Sequence, residues 1–199
     1  MYPGGSADSL FGIGTNTHPD GGFVFSNGRY RVCGGSGHWF AGLMESQEYR
    51  IQAASSADLP ELSRLYLAYR VFYGEDPEEK RAEAFISERV TRCLGRYFLA
   101  WNEGSAERSA IGFMHLMPST NTLAMRPIWL VEDLYVDLSA RGLGIGSALL
   151  RYAEDFARST GAERLTLATA HDNLAAQKIY KKLGYVRDEH FLYFHRLLP

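Results

Sequence analysis

The sequence predicts an α/β fold: a single domain with a mixed central sheet and helices on both faces. Three observations carry that expectation. Strand-like runs and helical stripes follow one another in the order β-αα-β-β-β-α-β-α-β(β). One stretch, residues 128–150, joins a strand to the start of a helix through a glycine turn. And 199 residues at 46% hydrophobic and 22% charged suffice for one core of ordinary globular composition.

Residues 1–47 stand apart as a glycine-rich extension. They hold eleven of the twenty glycines and five charged residues. Phe11, Phe23, Phe25, Tyr30, Trp39 and Phe40 are scattered there at no helical period. Two readings stay open. One is a flexible extension, or residues upstream of a natural start at Met44. The other is an arm whose aromatics pack on the domain or on a second subunit. His18 and His38 are isolated, and neither reads as a ligand.

The domain proper is expected over 48–199. Tyr49 to Ala54 reads as its first strand. Ser55 and Asp58 have capping-box spacing, with Pro60 tolerated in the first turn of the helix that follows. Leu59, Leu62, Leu65, Tyr66, Tyr69 and Phe72 form that helix's apolar stripe. Gly74 to Pro77 breaks it, and a second helix is expected from Pro77 to about Leu94. Strands follow at Tyr97 to Trp101 and Ala110 to Met117, with a polar turn between them. Residues 118–127, punctuated by Pro118 and Pro127, read as a loop. Ile128 to Val136 is a strand by its β-branched and aromatic content. Leu165 to Ala168 is another, and Ala175 to Leu183 a short helix. Val186–Arg187 and Phe191–Leu197 read as a closing pair of strands.

The chain is organised around the turn after Val136. Arg141-Gly142-Leu143-Gly144-Ile145-Gly146 leads into a helix whose apolar face is Ile145, Ala148, Leu149, Tyr152, Ala153 and Phe156. Glycines let the backbone turn tightly and approach a ligand closely. The first helical turn has unpaired N–H groups and partial positive charge, a combination that binds phosphate. Arg141 adds a fixed cation. The spacing is G-x-G-x-G, which is not the dinucleotide fingerprint, and no Lys-Ser or Lys-Thr follows as in a P-loop.

What the spacing does match is Arg-x-x-Gly-x-Gly, at Arg141, Gly144 and Gly146. This resembles the pyrophosphate-binding motif of the GCN5-related N-acetyltransferases (GNAT). Downstream, Asn173-x-x-Ala176-x-x-x-Tyr180-x-Lys182-x-Gly184-Tyr185 resembles the same superfamily's C-terminal signature. The resemblance covers roughly Tyr49 to Leu198. It implies a GNAT-like sheet and acetyl-CoA as donor. Arg141, Gly142 and the amides of Leu143, Gly144, Ile145, Gly146 and Ser147 would hold the pyrophosphate. The backbone of Leu134, Tyr135 and Val136 would pair with the pantetheine arm. Tyr180 matches the usual acid for the departing thiolate, and Asn173 a position that contacts the cofactor. Leu130-Val131-Glu132-Asp133-Leu134 is similar to the corresponding strand of the diamine (spermidine/spermine-type) acetyltransferases, where the glutamate lies at the reaction centre.

An amine acceptor sets the chemistry. An alkylammonium has a pKa near ~10.4, so freeing the nucleophile at pH 7 costs roughly 4–5 kcal/mol. A carboxylate or water chain that accepts a proton helps, and backbone N–H groups can stabilise the oxyanion. Glu132 and Asp133 interrupt an apolar strand, where a charge calls for a partner or a function. Neighbours on a strand point to opposite faces, so at most one is expected to face the acceptor. A salt bridge for Glu132 stays open, as do a core role for Tyr180 and a capping role for Asn173. Between the first two helices, Glu75 and Asp76 lie near Tyr69, Phe72 and Tyr73. In the superfamily that region borders the acceptor, and acidic and aromatic side chains there suit a cation.

The expected function is therefore acetyl transfer from acetyl-CoA to a primary amine, a small cationic one, by direct attack in a ternary complex. The alternatives are a protein or peptide amine as acceptor, or an acyl-CoA-binding module without turnover. The net charge of −2 gives no general attraction to nucleic acid or anionic membrane. Two cysteines, Cys33 and Cys93, make neither a disulfide framework nor a metal site, which suits the cytoplasm. No apolar run approaches a transmembrane length, and no signal peptide is expected. A homodimer is left open.

Overall fold

The computed structural model describes residues 23–26, 29–32, 49–104 and 108–198. Its sheet has the strand order β1-β2-β3-β4-β5-β6-β7. The strands are Phe23–Ser26, Arg29–Val32, Tyr49–Ala53, Arg96–Asn102, Ser109–Asn121, Arg126–Val136 and Leu165–Leu167. Every pairing is antiparallel except β6 with β7, so the sheet is mixed. Helices α1 (Leu59–Phe72) and α2 (Glu79–Thr91) precede β4; α3 (Ile145–Ser159) precedes β7, and α4 (Leu174–Lys182) follows it.

The two faces of the sheet build two cores. Phe98, Met114, Leu116 and Val131 face α3 and pack on Ile145, Leu149, Leu150 and Ala153. Tyr97, Leu99, Phe113 and Tyr135 face the other way, onto Leu62, Leu65 and Ile86. Fully buried Ile145, Leu149 and Leu150 contribute about 1.5–3 kcal/mol each. Glu61 and Arg64 fasten α1 to the start of β5. Glu61 accepts the Ala110 N–H at 2.8 Å while Arg64 donates to the Ala110 carbonyl and to Asp137. The Ser55–Asp58 capping box closes the 3-10 turn Ser56–Asp58 that leads into α1.

Three expectations need correction. The region 118–127 is not a loop: β5 runs to Asn121 and β6 starts at Arg126, leaving only 122–125 as the connection. Pro118 and Pro127 lie within the ladder opposite Trp129 and Thr120. A proline lacks a donor but keeps its carbonyl, and Pro127 O accepts the Glu163 N–H at 2.9 Å. The second helix starts at Glu79 rather than Pro77, because Glu78 at φ 42° is left-handed. Residues 186–198 form no strand. The Asp188 carboxylate instead accepts the His190 and Phe191 N–H groups, and Phe191 to Phe194 are largely exposed. Strand propensity reports fit to a pleated, half-buried surface, and no ladder partner meets this segment.

The extension is described only in part. β1 and β2 lie inside it and continue the sheet beyond β3, with Arg29 opposite Arg50 and Tyr30 opposite Tyr49. Phe11, His18, Cys33, His38, Trp39, Phe40 and Met44 lie outside the described residues. Among the described residues no helix is long and apolar enough to cross a membrane.

Candidate active site

β6 is the backbone of the site. β7 pairs with it only through Trp129, Leu130 and Val131. Among the described residues, the β6 edge from Glu132 to Val136 therefore has no strand beside it. The change falls at a bulge. His115 pairs with Asp133 and Leu116 with Val131, so Glu132 is the extra residue. Val131 and Leu134 consequently both pack toward α3, although three positions apart. Strict alternation, expected for Glu132 and Asp133, is broken here. Glu132 is exposed, and its charge reaches the Tyr97 hydroxyl on the α1–α2 face. Asp133 is half-buried and turned to that same face. On β5, Gly112 lies where a Cβ would meet Tyr135 O at 2.9 Å, so a side chain there would push β5 and β6 apart.

The glycine turn follows directly. Gly142 and Gly144 have φ of 81° and 80°, the left-handed region that favours glycine. The first intrahelical bond is Ala148 N–H to Gly144 O at 3.0 Å. The amides of Ile145, Gly146 and Ser147 thus have no acceptor within the helix. They sit at the positive end of a 15-residue helix. Leu143 is exposed and Ile145 buried. A Cβ on Gly146 would meet Leu134, Val136 and Ile179 at 3.8–4.0 Å, so Gly146 sits where α3, α4 and β6 converge.

Arg141 folds back from this turn. Its Nε donates to Val136 O at 3.1 Å, and its guanidinium lies 4.7 Å over the Phe72 ring and 5.6 Å over Tyr135. Its two terminal nitrogens make no hydrogen bond among the described residues. Phe72 and Tyr73 close the end of α1, each about half exposed, with their ring centroids 5.1 Å apart. Tyr69 packs edge-on against Phe113 and Tyr135. Glu75 and Asp76 are exposed in the turn beyond. Arg70 holds that turn by donating to Asp76 O at 2.7 Å and to Glu78.

Tyr180 closes the other side. It is half-buried on α4, packs on the α3-side core, and shares a Thr169 hydrogen bond. Burial pushes its phenol up, the nearby Tyr73 phenol adds to this, and the Thr169 bond partly offsets both. The proton therefore stays on Tyr180 through neutral pH. Asn173 Oδ1 accepts the Ala176 N–H at 3.2 Å and caps α4, which leaves its amide nitrogen for another contact.

One constellation escaped the sequence reading. His115 Nδ1 lies 3.0 Å from the Asp133 carboxylate. The His115 ring stacks on Tyr97 at 4.1 Å, and the Tyr69 phenol lies near the same carboxylate. Burial, then the charge and hydrogen bond of Asp133, push the Tyr69 phenol well up. Gly95 makes room for the imidazole: a Cβ there would lie 2.9 Å from His115 Cδ2. A cavity of about 420 Å³ near the C-terminal end of α3, lined by Glu154, Arg158, Leu165 and Tyr185, is distant in the fold from Gly144 and takes no part in this site.

Comparison with known proteins agrees with this geometry. The model of the Acetyltransferase (GNAT) family matches residues 59–185. The uncharacterized N-acetyltransferase YhfO of Bacillus subtilis (strain 168) is 33% identical over 149 residues, covering 75% of this chain and 97% of its own. The thialysine N-epsilon-acetyltransferase of Bos taurus is 32% identical over 107 residues, covering 54% of this chain and 62% of its own. A crystal structure of a probable acetyltransferase superposes with a TM-score of 0.70 at 31% identity, covering 75% of this chain and 98% of that one. With the motif residues gathered at one end of β6 and the family matched over most of the domain, the chain belongs to the GNAT family and is an N-acetyltransferase.

Proposed function

We propose that the chain transfers the acetyl group of acetyl-CoA to the primary amine of a small cationic acceptor, by direct attack in a ternary complex. GNAT enzymes use acetyl-CoA as cosubstrate, and the residues present fit it. The unpaired amides of 145–147 and the free nitrogens of Arg141 offer donors for a pyrophosphate. The unpaired β6 edge at Leu134–Val136 offers main-chain partners for a pantetheine arm.

The observation that carries the acceptor reading is the bulge at Glu132. It sets an exposed carboxylate on β6 just before that edge, where β7 pairing ends. Glu132 attracts the ammonium and, directly or through water, accepts one proton. The freed nitrogen attacks the thioester carbon, and collapse breaks the C–S bond. Tyr180 gives its proton to the departing thiolate and recovers one from the amine nitrogen. Phe72, Tyr73, Glu75 and Asp76 line the approach. The similarity of 130–134 to diamine acetyltransferases and the name of the thialysine N-epsilon-acetyltransferase support a small amine over a protein.

The catalytic unit is placed at 48–199, with 1–47 as an extension; the family match at 59–185 supports this. Exposed, unpaired Cys93 suits a reducing, cytoplasmic setting. The test is CoA release measured over a panel of small amines and lysine peptides. Turnover with small cationic amines is expected. Turnover confined to peptides would replace the acceptor, and none with any amine would leave a binding module.

A further inference from the structure

Asp133 is a half-buried carboxylate held by a histidine. Its side chain is 17% exposed, and among the described residues no Lys or Arg pairs with it. Its hydrogen-bond partner is His115 Nδ1 at 3.0 Å, and the Tyr69 phenol lies within its field. His115 Nε2, the far nitrogen of the same ring, is buried against Gly95 and unpartnered. A carboxylate offers about four acceptor positions, and His115 takes one.

The surroundings suit a cation. The buried Tyr97 hydroxyl, within the field of Asp133, also has no partner. Tyr66, Tyr69 and Phe113 present aromatic surface around it, and an ammonium is attracted to such faces. Glu132 adds a second negative charge from the same strand. Arg89 of α2, whose charge reaches Tyr97, is drawn over the Phe85 ring at 4.0 Å. Asp133 lies one residue before Leu134, where the unpaired edge of β6 continues. A half-buried charge of this kind is costly unless a counter-charge arrives.

We propose that Asp133, oriented by His115, is the anionic seat for the acceptor's ammonium group, a primary alkylammonium. His115 is a positioning residue that acts through Asp133. The inference rests on the amine-acetyltransferase reading and assigns recognition to Asp133, leaving proton acceptance with Glu132.

The test is calorimetric titration of butylammonium chloride into the CoA-loaded full chain. Wild type should bind it. Asp133→Asn should bind about tenfold or more weakly, the scale of a lost charge-assisted hydrogen bond, with CoA affinity unchanged. His115→Phe keeps the stack on Tyr97 and removes the donor, so binding should weaken. His115→Asn, whose amide N–H falls near the place of Nδ1, should recover part of it. In wild type the same titration should shift the His115 ring nitrogen resonances. No binding by wild type, equal binding by Asp133→Asn, or unmoved His115 resonances would each overturn the seat. Butylammonium binding at Asp133 without CoA release from any amine would instead overturn the transferase reading and leave the seat standing.

Discussion

Arg141 Nε donates to the Val136 carbonyl at 3.1 Å, and the same guanidinium covers the Phe72 ring. One side chain thereby joins the glycine turn, the end of β6 and the aromatic end of α1. A cation tied at Nε keeps its other nitrogens in a fixed direction, so less freedom is lost when they take a phosphate.

The glycine turn should therefore bind CoA, and Gly144 is its most sensitive position. At φ 80° a side chain costs about 1–2 kcal/mol, and an aspartate adds negative charge beside the unpaired amides. Gly144→Asp should lower CoA affinity about a hundredfold, roughly 2.7 kcal/mol, with the domain still folded. Calorimetry against CoA, with a melting curve beside it, checks this. Unchanged affinity would move the phosphate site elsewhere.

Tyr180→Phe keeps the ring packed against Tyr185 and removes the proton donor. The expected result is a fall in kcat of about 10²-fold, the low end for a lost general acid, with acetyl-CoA affinity within about twofold. A lower Tm with unchanged turnover of the folded enzyme would make Tyr180 a core residue only.

Much of this arrangement was legible because it is written at short range. Ile145, Ala148, Leu149 and Ala153 recur at the helical period, and all four are buried in one cluster. Arg141, Gly144 and Gly146 lie within six residues. The Asp133–His115 pair spans 18 residues, and its register depends on a bulge that composition does not encode. Without that bulge, alternation sends Glu132 and Asp133 to opposite faces. Pro118 and Pro127 read as breakers because a proline removes a donor, yet a ladder survives on the remaining carbonyls. The 186–198 segment failed in the opposite sense. Its aromatic and apolar run states what a strand favours, not whether a partner strand is there.

Acid should loosen the start of α1 before the core. Burial raises the Glu61 carboxyl, but the Arg64 hydrogen bond, the Ala110 N–H and the Arg64 charge outweigh it and hold the net value low. At Asp137, burial likewise acts upward, and the Ser139 and Arg64 bonds prevail. A lowered folded pKa gives stability that is present above the unfolded value and lost as pH falls through the folded one. Given unfolded values near ~4.3 and ~3.9, Tm should drop steeply below about pH 4. Glu61→Gln keeps an acceptor for Ala110 and should flatten that limb while lowering Tm at pH 7. Parallel Tm–pH curves for the two proteins would remove this network from acid unfolding.

Glu132 is exposed at the bulge, so its charge is screened and its removal should leave the fold intact. Glu132→Gln keeps the shape and deletes the proton acceptor. If Glu132 takes the proton from the bound ammonium, the loss in kcat/KM for amines is greatest at low pH, where free amine is rarest. It is then partly relieved as pH rises and the solution supplies neutral amine. A loss at Asp133 has a different signature, because a missing seat weakens capture of the cation while solvent still accepts protons. Asp133→Asn should therefore raise KM more than it lowers kcat, and Glu132→Gln the reverse. Steady-state kinetics from pH 6 to 9 with one saturable amine separates them. A Glu132→Gln enzyme with the wild-type pH profile would leave Glu132 outside the mechanism and hand proton acceptance to bulk water or the acidic turn at Glu75 and Asp76.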